Sequence, residues 1–206
     1  MSFKEVLQSN SSRCLVLDGG LATTLEMYGC NLRNKLWSAS VLIENPSLVQ
    51  KVHSEFANAG CDIVTTASYQ MTLQARPLDG RELLELSVRL AKESGARFVA
   101  ASVGSYGAFL ADGSEYVGKY GVSSEFLQDF HRERINILWN CKPDFILLET
   151  IPCVAEARAV LSMLQPNFLV AVSFQCSDEE HLGKGGKKIG GSYFLTFICF
   201  SCFSFW

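Results

Sequence analysis

The sequence lacks the features that would direct it to nucleic acid, a membrane or the secretory route. It has no excess of positive charge: 18 Lys and Arg stand against 21 Asp and Glu, a formal net charge of −3. That balance offers no electrostatic footprint for a phosphate backbone or an acidic lipid surface, so neither nucleic acid nor membrane is expected as a partner. Residues Met1 to Ser12 are polar and carry no apolar h-region, so no secretory leader is expected and a cytoplasmic location is. The uncharged run Tyr193–Trp206 falls short of the ~20 apolar residues that a spanning helix needs. Nucleotide-binding glycine motifs are missing. The turn after the first apolar run reads Asp18-Gly19-Gly20-Leu21-Ala22-Thr23, neither a GxGxxG nor a Walker sequence. Adjacent cysteines are absent as well. Of the 8 cysteines, Cys14, Cys61, Cys141, Cys153 and Cys176 lie in or beside apolar segments at no metal-ligand spacing, and they read as buried, reduced thiols.

What is present is an alternation of short apolar runs and helical periods. An apolar content of 48% over 206 residues suits one domain, or most of a larger one. Cys14–Leu17 reads as a first strand. Asn45-Pro46 is a helix start, with a capping side chain and then a proline at the first helical position. Leu48, Val49, Val52 and Phe56 form the stripe of that helix, and Gly60 ends it. Asp62–Thr66 is a second strand. A helix follows over Glu82–Ser94, then a strand over Phe98–Val103. Ser123 and Ser124 cap a long helix to about Asn140. Phe145–Leu148 is the fourth strand, Val154–Leu164 a helix, and Phe168–Phe174 the fifth strand. This order is that of parallel βαβ units and leaves two architectures, an open doubly wound sheet or a (β/α)8 barrel.

Two acidic residues share one local context. Asp18 closes the run Cys14–Leu17, and Glu149 closes the run Phe145–Leu148. A carboxylate ending a buried strand is costly unless it faces a cleft or a partner. In α/β folds the carboxyl ends of parallel strands are where ligands bind. The pair therefore points to a strand-end site for a ligand with positive charge or hydrogen-bond donors. The competing readings stay open at this level. Asp18 before Gly19 also suits a turn or cap, and Glu149 could pair with an Arg or Lys inside the fold. Tyr69 and Tyr106 either line the pocket or pack. His53 reads as a packing or surface residue on its helix, Trp37 as core, and His131, within His131-Arg132-Glu133-Arg134, as solvated.

Several segments, in order, resemble the homocysteine S-methyltransferases. They are Leu17-Asp18-Gly19-Gly20-Leu21-Ala22-Thr23-Thr24-Leu25-Glu26, Leu36-Trp37-Ser38-Ala39, Glu44-Asn45-Pro46, His53 and Ala59-Gly60-Cys61-Asp62-Ile63. Thr66-Ala67-Ser68-Tyr69-Gln70, Ala101–Ala108, Ala111-Asp112-Gly113-Ser114-Glu115-Tyr116 and Leu147-Leu148-Glu149-Thr150-Ile151-Pro152 continue the likeness. The Trp-Ser-Ala and Ala-Asp-Gly-Ser-Glu-Tyr elements are most similar to the branch using S-methylmethionine. The resemblance implies a (β/α)8 TIM barrel and a zinc ion that keeps the homocysteine sulfur as thiolate. It implies methyl transfer from S-methylmethionine, or S-adenosylmethionine, to give methionine. It places Asp18 and Glu149 on the homocysteine amino group. Gly19 and Gly20 then let backbone approach the substrate, and Tyr69 joins them as a substrate-binding residue.

The likeness covers residues 10 to 182. The family's zinc ligands are three cysteines, one after the sixth strand and an adjacent pair in a Gly-Gly-Cys-Cys motif, and no matching motif occurs in this sequence. The expectation is an incomplete barrel of about five βα units over 1–182, then a Gly/Lys and aromatic tail over 183–206 that is foreign to the domain. An interfacial anchor is the alternative for the tail. Cys199-Phe-Ser-Cys202 has a zinc-knuckle spacing without a second pair. The connection Met71–Glu82 is shorter than the family's. Two functions follow from the resemblance: a zinc-dependent homocysteine S-methyltransferase, or a catalytically inactive fragment lacking the metal-binding half.

Overall fold

A computed structural model describes residues 2–9, 14–32 and 37–176, with the side chain of Trp37 left out. In chain order the elements are α1 (Phe3–Gln8), α2 (Leu21–Met27), a 3-10 turn (Trp37–Ser40), α3 (Val41–Glu44), α4 (Pro46–Asn58) and β1 (Ile63–Thr65). They continue with α5 (Gly80–Lys92), β2 (Phe98–Gly104), α6 (Tyr106–Leu110), a second 3-10 turn (Ser114–Tyr116) and α7 (Ser124–Asn140). The last three are β3 (Phe145–Ile151), α8 (Val154–Met163) and β4 (Val170–Phe174). The expected break at residue 183, the tail and Cys199-Phe-Ser-Cys202 lie outside the described residues, as does the side chain of Trp37.

Local chemistry starts and stops the helices. Asn45 caps α4 by accepting from the Leu48 N–H at 3.2 Å, with Pro46 at the first helical position. Ser123 caps α7 by accepting from the Phe126 N–H at 3.2 Å. Gly60 and Gly95 follow α4 and α5 at φ +102° and +85°, a left-handed geometry that L side chains resist.

The four strands form one parallel sheet in the order β1-β2-β3-β4. A doubly wound sheet reverses its order at a switch point. Here each strand lies beside its sequence neighbour, as in the wall of a barrel, which decides between the two architectures left open above. The segment expected as the first strand joins this order by a single parallel bridge, Leu17 to Ile63. It does not form a regular ladder because side-chain chemistry intrudes. The Asp62 carboxylate accepts from the Val16 N–H at 3.0 Å, while the Val16 carbonyl accepts from both Asp62 and Ile63 N–H groups.

The sheet's two faces are covered differently. Ala101, Val103, Ile146, Leu148 and Val172 pack with the helix layer in the main core. Ile63, Phe98, Ala100, Phe145 and Leu147 face the other way and pack with Phe3. The Phe3 ring stacks on Phe145 at 4.4 Å and meets Phe98 edge-on at 5.1 Å. Helix α1 therefore seals this face at the amino-terminal ends of the strands and leaves the carboxyl ends as its opening. Among the described residues no helix is long and apolar enough to cross a membrane.

The thiols differ from expectation. Cys14 is exposed, and Cys30, Cys61, Cys141, Cys153 and Cys176 are half-buried. The apolar runs in which they sit lie at the edges of elements, so the cysteines flank the core without entering it.

Candidate functional site

The carboxyl ends of the strands converge on the two acidic residues. Asp18 follows the bridge at Leu17 and stays in line because its N–H donates to the Ile63 carbonyl at 2.9 Å. Its carboxylate accepts from the Thr65 N–H at 2.8 Å and from the Thr65 hydroxyl at 3.0 Å. Glu149 lies on β3 opposite Gly104 of β2. The Ser102 hydroxyl donates to its carboxylate at 2.6 Å. A belt of hydroxyls supports this contact. The Ser68 hydroxyl donates to the Ser102 carbonyl at 2.7 Å, and the Ser102 N–H donates to the Thr66 hydroxyl at 2.9 Å.

Both carboxyls are held above their ordinary range. Burial pushes Asp18 up to about 7, opposed by its Thr65 hydrogen bonds and reinforced by the charge of Glu149. Burial raises Glu149 as well, opposed by the Ser102 hydrogen bond. Among the described residues, Thr65 donates to the Asp18 carboxylate and Ser102 to that of Glu149, and no salt bridge to either is formed. Asp18 senses the charge of Glu149, and neither acid has a basic partner among the described residues.

Tyr69 stands at the same mouth. Burial raises its phenol, with Glu149 the next contributor, and the Thr150 hydroxyl lies beside it. The Tyr69 carbonyl accepts from the Gly104 N–H at 3.1 Å. A Cβ at position 104 would stand 2.5 Å from that carbonyl oxygen and 2.9 Å from the Tyr69 ring, so only glycine fits. Nearby, the buried acceptor atoms Gln70 Oε1 and Glu115 Oε2 have no donor among the described residues. Gly19 and Gly20 are exposed at the rim. A Cβ on Gly19 would come within 2.8 Å of the half-buried Phe56 ring, which would have to shift to admit it. Gly20 sits at the N-cap of α2.

Glu149 also marks an irregularity. Between Leu148 and Ile151, β3 spends one more residue than β4 spends between Val172 and Phe174. The extra residue is Thr150, at φ +56°. A β-branched residue in the left-handed region is an outlier, and such strain gathers at functional sites.

Other residues go elsewhere. Tyr106 packs its ring among Phe109, Tyr120, Phe126 and Phe130. His53 is fully buried on α4, a packing residue whose ring nitrogens have no partner among the described residues. His131 is not solvated: it is 0% exposed. It belongs to a buried network that the sequence reading missed. His131 Nε2 lies 2.8 Å from Glu156 Oε1, and Arg134 Nη2 donates to His131 Nδ1 at 2.7 Å. Glu156 also accepts from the Tyr106 N–H at 2.6 Å and from the Tyr120 hydroxyl at 2.9 Å. A helical signal was available. His131 and Arg134 fall on the same stripe of α7 as the buried Leu127 and Leu138, with spacings of four, three and four.

Comparison with known proteins agrees with this fold. The family model described as Homocysteine S-methyltransferase matches residues 15–191. The chain is 42% identical over 193 residues to homocysteine S-methyltransferase YbgG of Bacillus subtilis, covering 83% of this chain and 61% of that protein. It is 43% identical over 190 residues to the homocysteine S-methyltransferase of Escherichia coli, again covering 83% and 61%. The chain thus spans about three fifths of the length of these relatives. The homocysteine methyltransferase MmuM from Escherichia coli, solved in a metallated form, superposes with a TM-score of 0.78 at 41% identity, covering 87% of this chain and 68% of that one. The parallel sheet in sequential order, its carboxyl-end acids and these matches together place the chain in the homocysteine S-methyltransferase family.

Proposed function

We propose that the mouth formed by Asp18, Glu149, Tyr69 and the Gly19-Gly20 rim binds homocysteine by its α-ammonium group. The observation that carries this reading is the pair of buried strand-end carboxyls, both held above their ordinary range, without a basic partner among the described residues. A primary ammonium supplies the missing charge and donors for both acids. In this reading Asp18 and Glu149 fix one end of the substrate, and Thr65 and Ser102 hold the acids in place. The fixed end aims the sulfur at a methyl donor, which is where orientation lowers a two-substrate barrier. The donor is a sulfonium, S-methylmethionine or S-adenosylmethionine, and the product is methionine. A cationic donor suits the unpaired buried acceptors Gln70 Oε1 and Glu115 Oε2.

Zinc is the family's means of ionising the thiol, according to the resemblance. Among the described residues no group of three or more His, Cys, Asp or Glu side chains could hold a metal ion. The described residues do not fit zinc. That disagreement favours a second reading, in which this chain binds homocysteine without turning it over.

Calorimetric titration tests the proposal. Homocysteine is expected to bind, and N-acetylhomocysteine, which has no ammonium, is not. Glu149→Gln should weaken homocysteine at least tenfold. Equal binding of the two ligands would refute the assignment. A parallel assay of methionine formation from homocysteine and S-methylmethionine, with measurement of bound zinc, separates turnover from binding.

A further inference from the structure

We infer that Arg134, on the helix layer behind the site, is the positioning residue that sets the Tyr69 turn against the mouth. The inference rests on the homocysteine-binding reading only for what the turn serves.

Arg134 is 2% exposed, yet its guanidinium does not pair directly with a carboxylate. Nη2 donates to the Gly104 carbonyl at 2.8 Å, and Nη1 reaches the Met71 carbonyl at 3.4 Å. These two carbonyls bracket the site from behind. Gly104 is the last residue of β2, lies opposite Glu149 and donates its own N–H to Tyr69. Met71 closes the turn that begins at Ser68, since its N–H donates to the Ser68 carbonyl at 3.0 Å. One planar cation therefore ties a strand end to the turn that presents Tyr69 and Gln70.

The remaining contacts keep that cation aimed. His131 accepts from Arg134 at Nδ1, so its proton lies on Nε2, which then donates to Glu156. Burial keeps His131 neutral by lowering its proton affinity, as Arg134 also does, while the Glu156 hydrogen bond opposes. The neutral ring is the form that can accept from the guanidinium. Glu156, 0% exposed, balances the charge from one residue further on and is itself held by Tyr106 and Tyr120. A buried charge without such compensation is strongly destabilising. The rigid fork of an arginine can serve two carbonyls and an imidazole at once, and the single point of a lysine ammonium cannot.

The test compares Arg134→Lys with Leu138→Ala, a core truncation on the same helix whose side chain makes no hydrogen bond. Melting temperatures are matched by choice of assay temperature. Amide hydrogen exchange at Gly104 and Met71 and homocysteine affinity are then measured. Arg134→Lys should speed Gly104 exchange at least tenfold and weaken homocysteine about tenfold, with Leu138→Ala unchanged in both. If the lysine variant does not fold, the double variant Arg134→Gln with Glu156→Gln removes both charges together and should give the same two effects. Wild-type exchange at Gly104 in either Arg134 variant, or equal loosening in Leu138→Ala, would overturn the inference. Absence of homocysteine binding in the wild-type chain, with Gly104 still responding to Arg134, would sink the proposed function and leave Arg134 as the anchor of the turn.

Discussion

Replacing Asp18 by asparagine should stabilise the ligand-free protein at neutral pH while weakening its hold on an amine. In the folded chain burial keeps the Asp18 proton up to about 7. In the unfolded chain the proton leaves near 3.8. The folded state thus binds more protons between those values. The stability this group contributes is complete below about 3.8 and is lost as pH rises through about 7. Each pH unit in that window costs the fold about 1.4 kcal/mol, and the whole window about 4 kcal/mol. Solvent reaches part of the carboxylate, so about 2 kcal/mol is the better figure. An asparagine carbonyl can accept from the Thr65 N–H, and its amide can donate to the Thr65 hydroxyl, so the local hydrogen bonds are kept. For a chain of this size about 2 kcal/mol corresponds to a melting temperature higher by about 4–8 °C. The assay is thermal unfolding of wild type and Asp18→Asn from pH 4 to pH 8. The gap should be near zero at pH 4 and widest at pH 8, while calorimetry shows weaker homocysteine binding in the variant. A gap that does not depend on pH, or a variant less stable at pH 8, would refute the account of Asp18 as a buried acid awaiting a cation.

His53 should act in the opposite direction. Burial lowers it to about 4 from 6.5, so its neutral form is full support above about 6.5 and that support is lost as pH falls toward 4. Relative to wild type, His53→Leu should therefore be more stable at pH 5 than at pH 7.5 by about 2 kcal/mol, and unfolding curves of both proteins at the two pH values check it. Phe3→Ala should cost about 3–4 kcal/mol, because it removes a buried ring stacked on Phe145; chemical denaturation measures it. Homocysteine affinity measured on the folded Phe3→Ala protein should stay near wild type, since the ring lies at the end of the strands away from the mouth.

The strands and long helices were legible because each carries its own period and its own stop signal. Asn45-Pro46, Ser123 and the glycines after α4 and α5 lie where the structure begins and ends those helices. The two strand-end acids were legible for a different reason: a charge at the end of an apolar run is conspicuous in any reading. The first ladder was not. Its pairing is decided by the Asp62 carboxylate, a contact 46 residues away along the chain. His131 was misplaced because its neighbours Arg132 and Glu133 are charged and exposed, and a run of charges hides a stripe spaced at three and four. The partner that makes burial tolerable, Glu156, lies on another helix, and no local pattern announces it. Tyr106 and Tyr69 looked alike in sequence, and only tertiary packing separates the ring in an aromatic cluster from the one at the mouth.

The inserted Thr150 gives β3 two phases in a single run. Up to Glu149 the odd-numbered residues Phe145 and Leu147 look toward the sealed face, yet Ile151 packs with the helix layer. Deleting Thr150 would restore strict alternation, with Ile151 following Glu149 directly and keeping its place on the helix layer. What the mouth would lose is the Thr150 hydroxyl that lies beside the Tyr69 phenol. The polarity of the opening thus depends on a count of residues as much as on their identity.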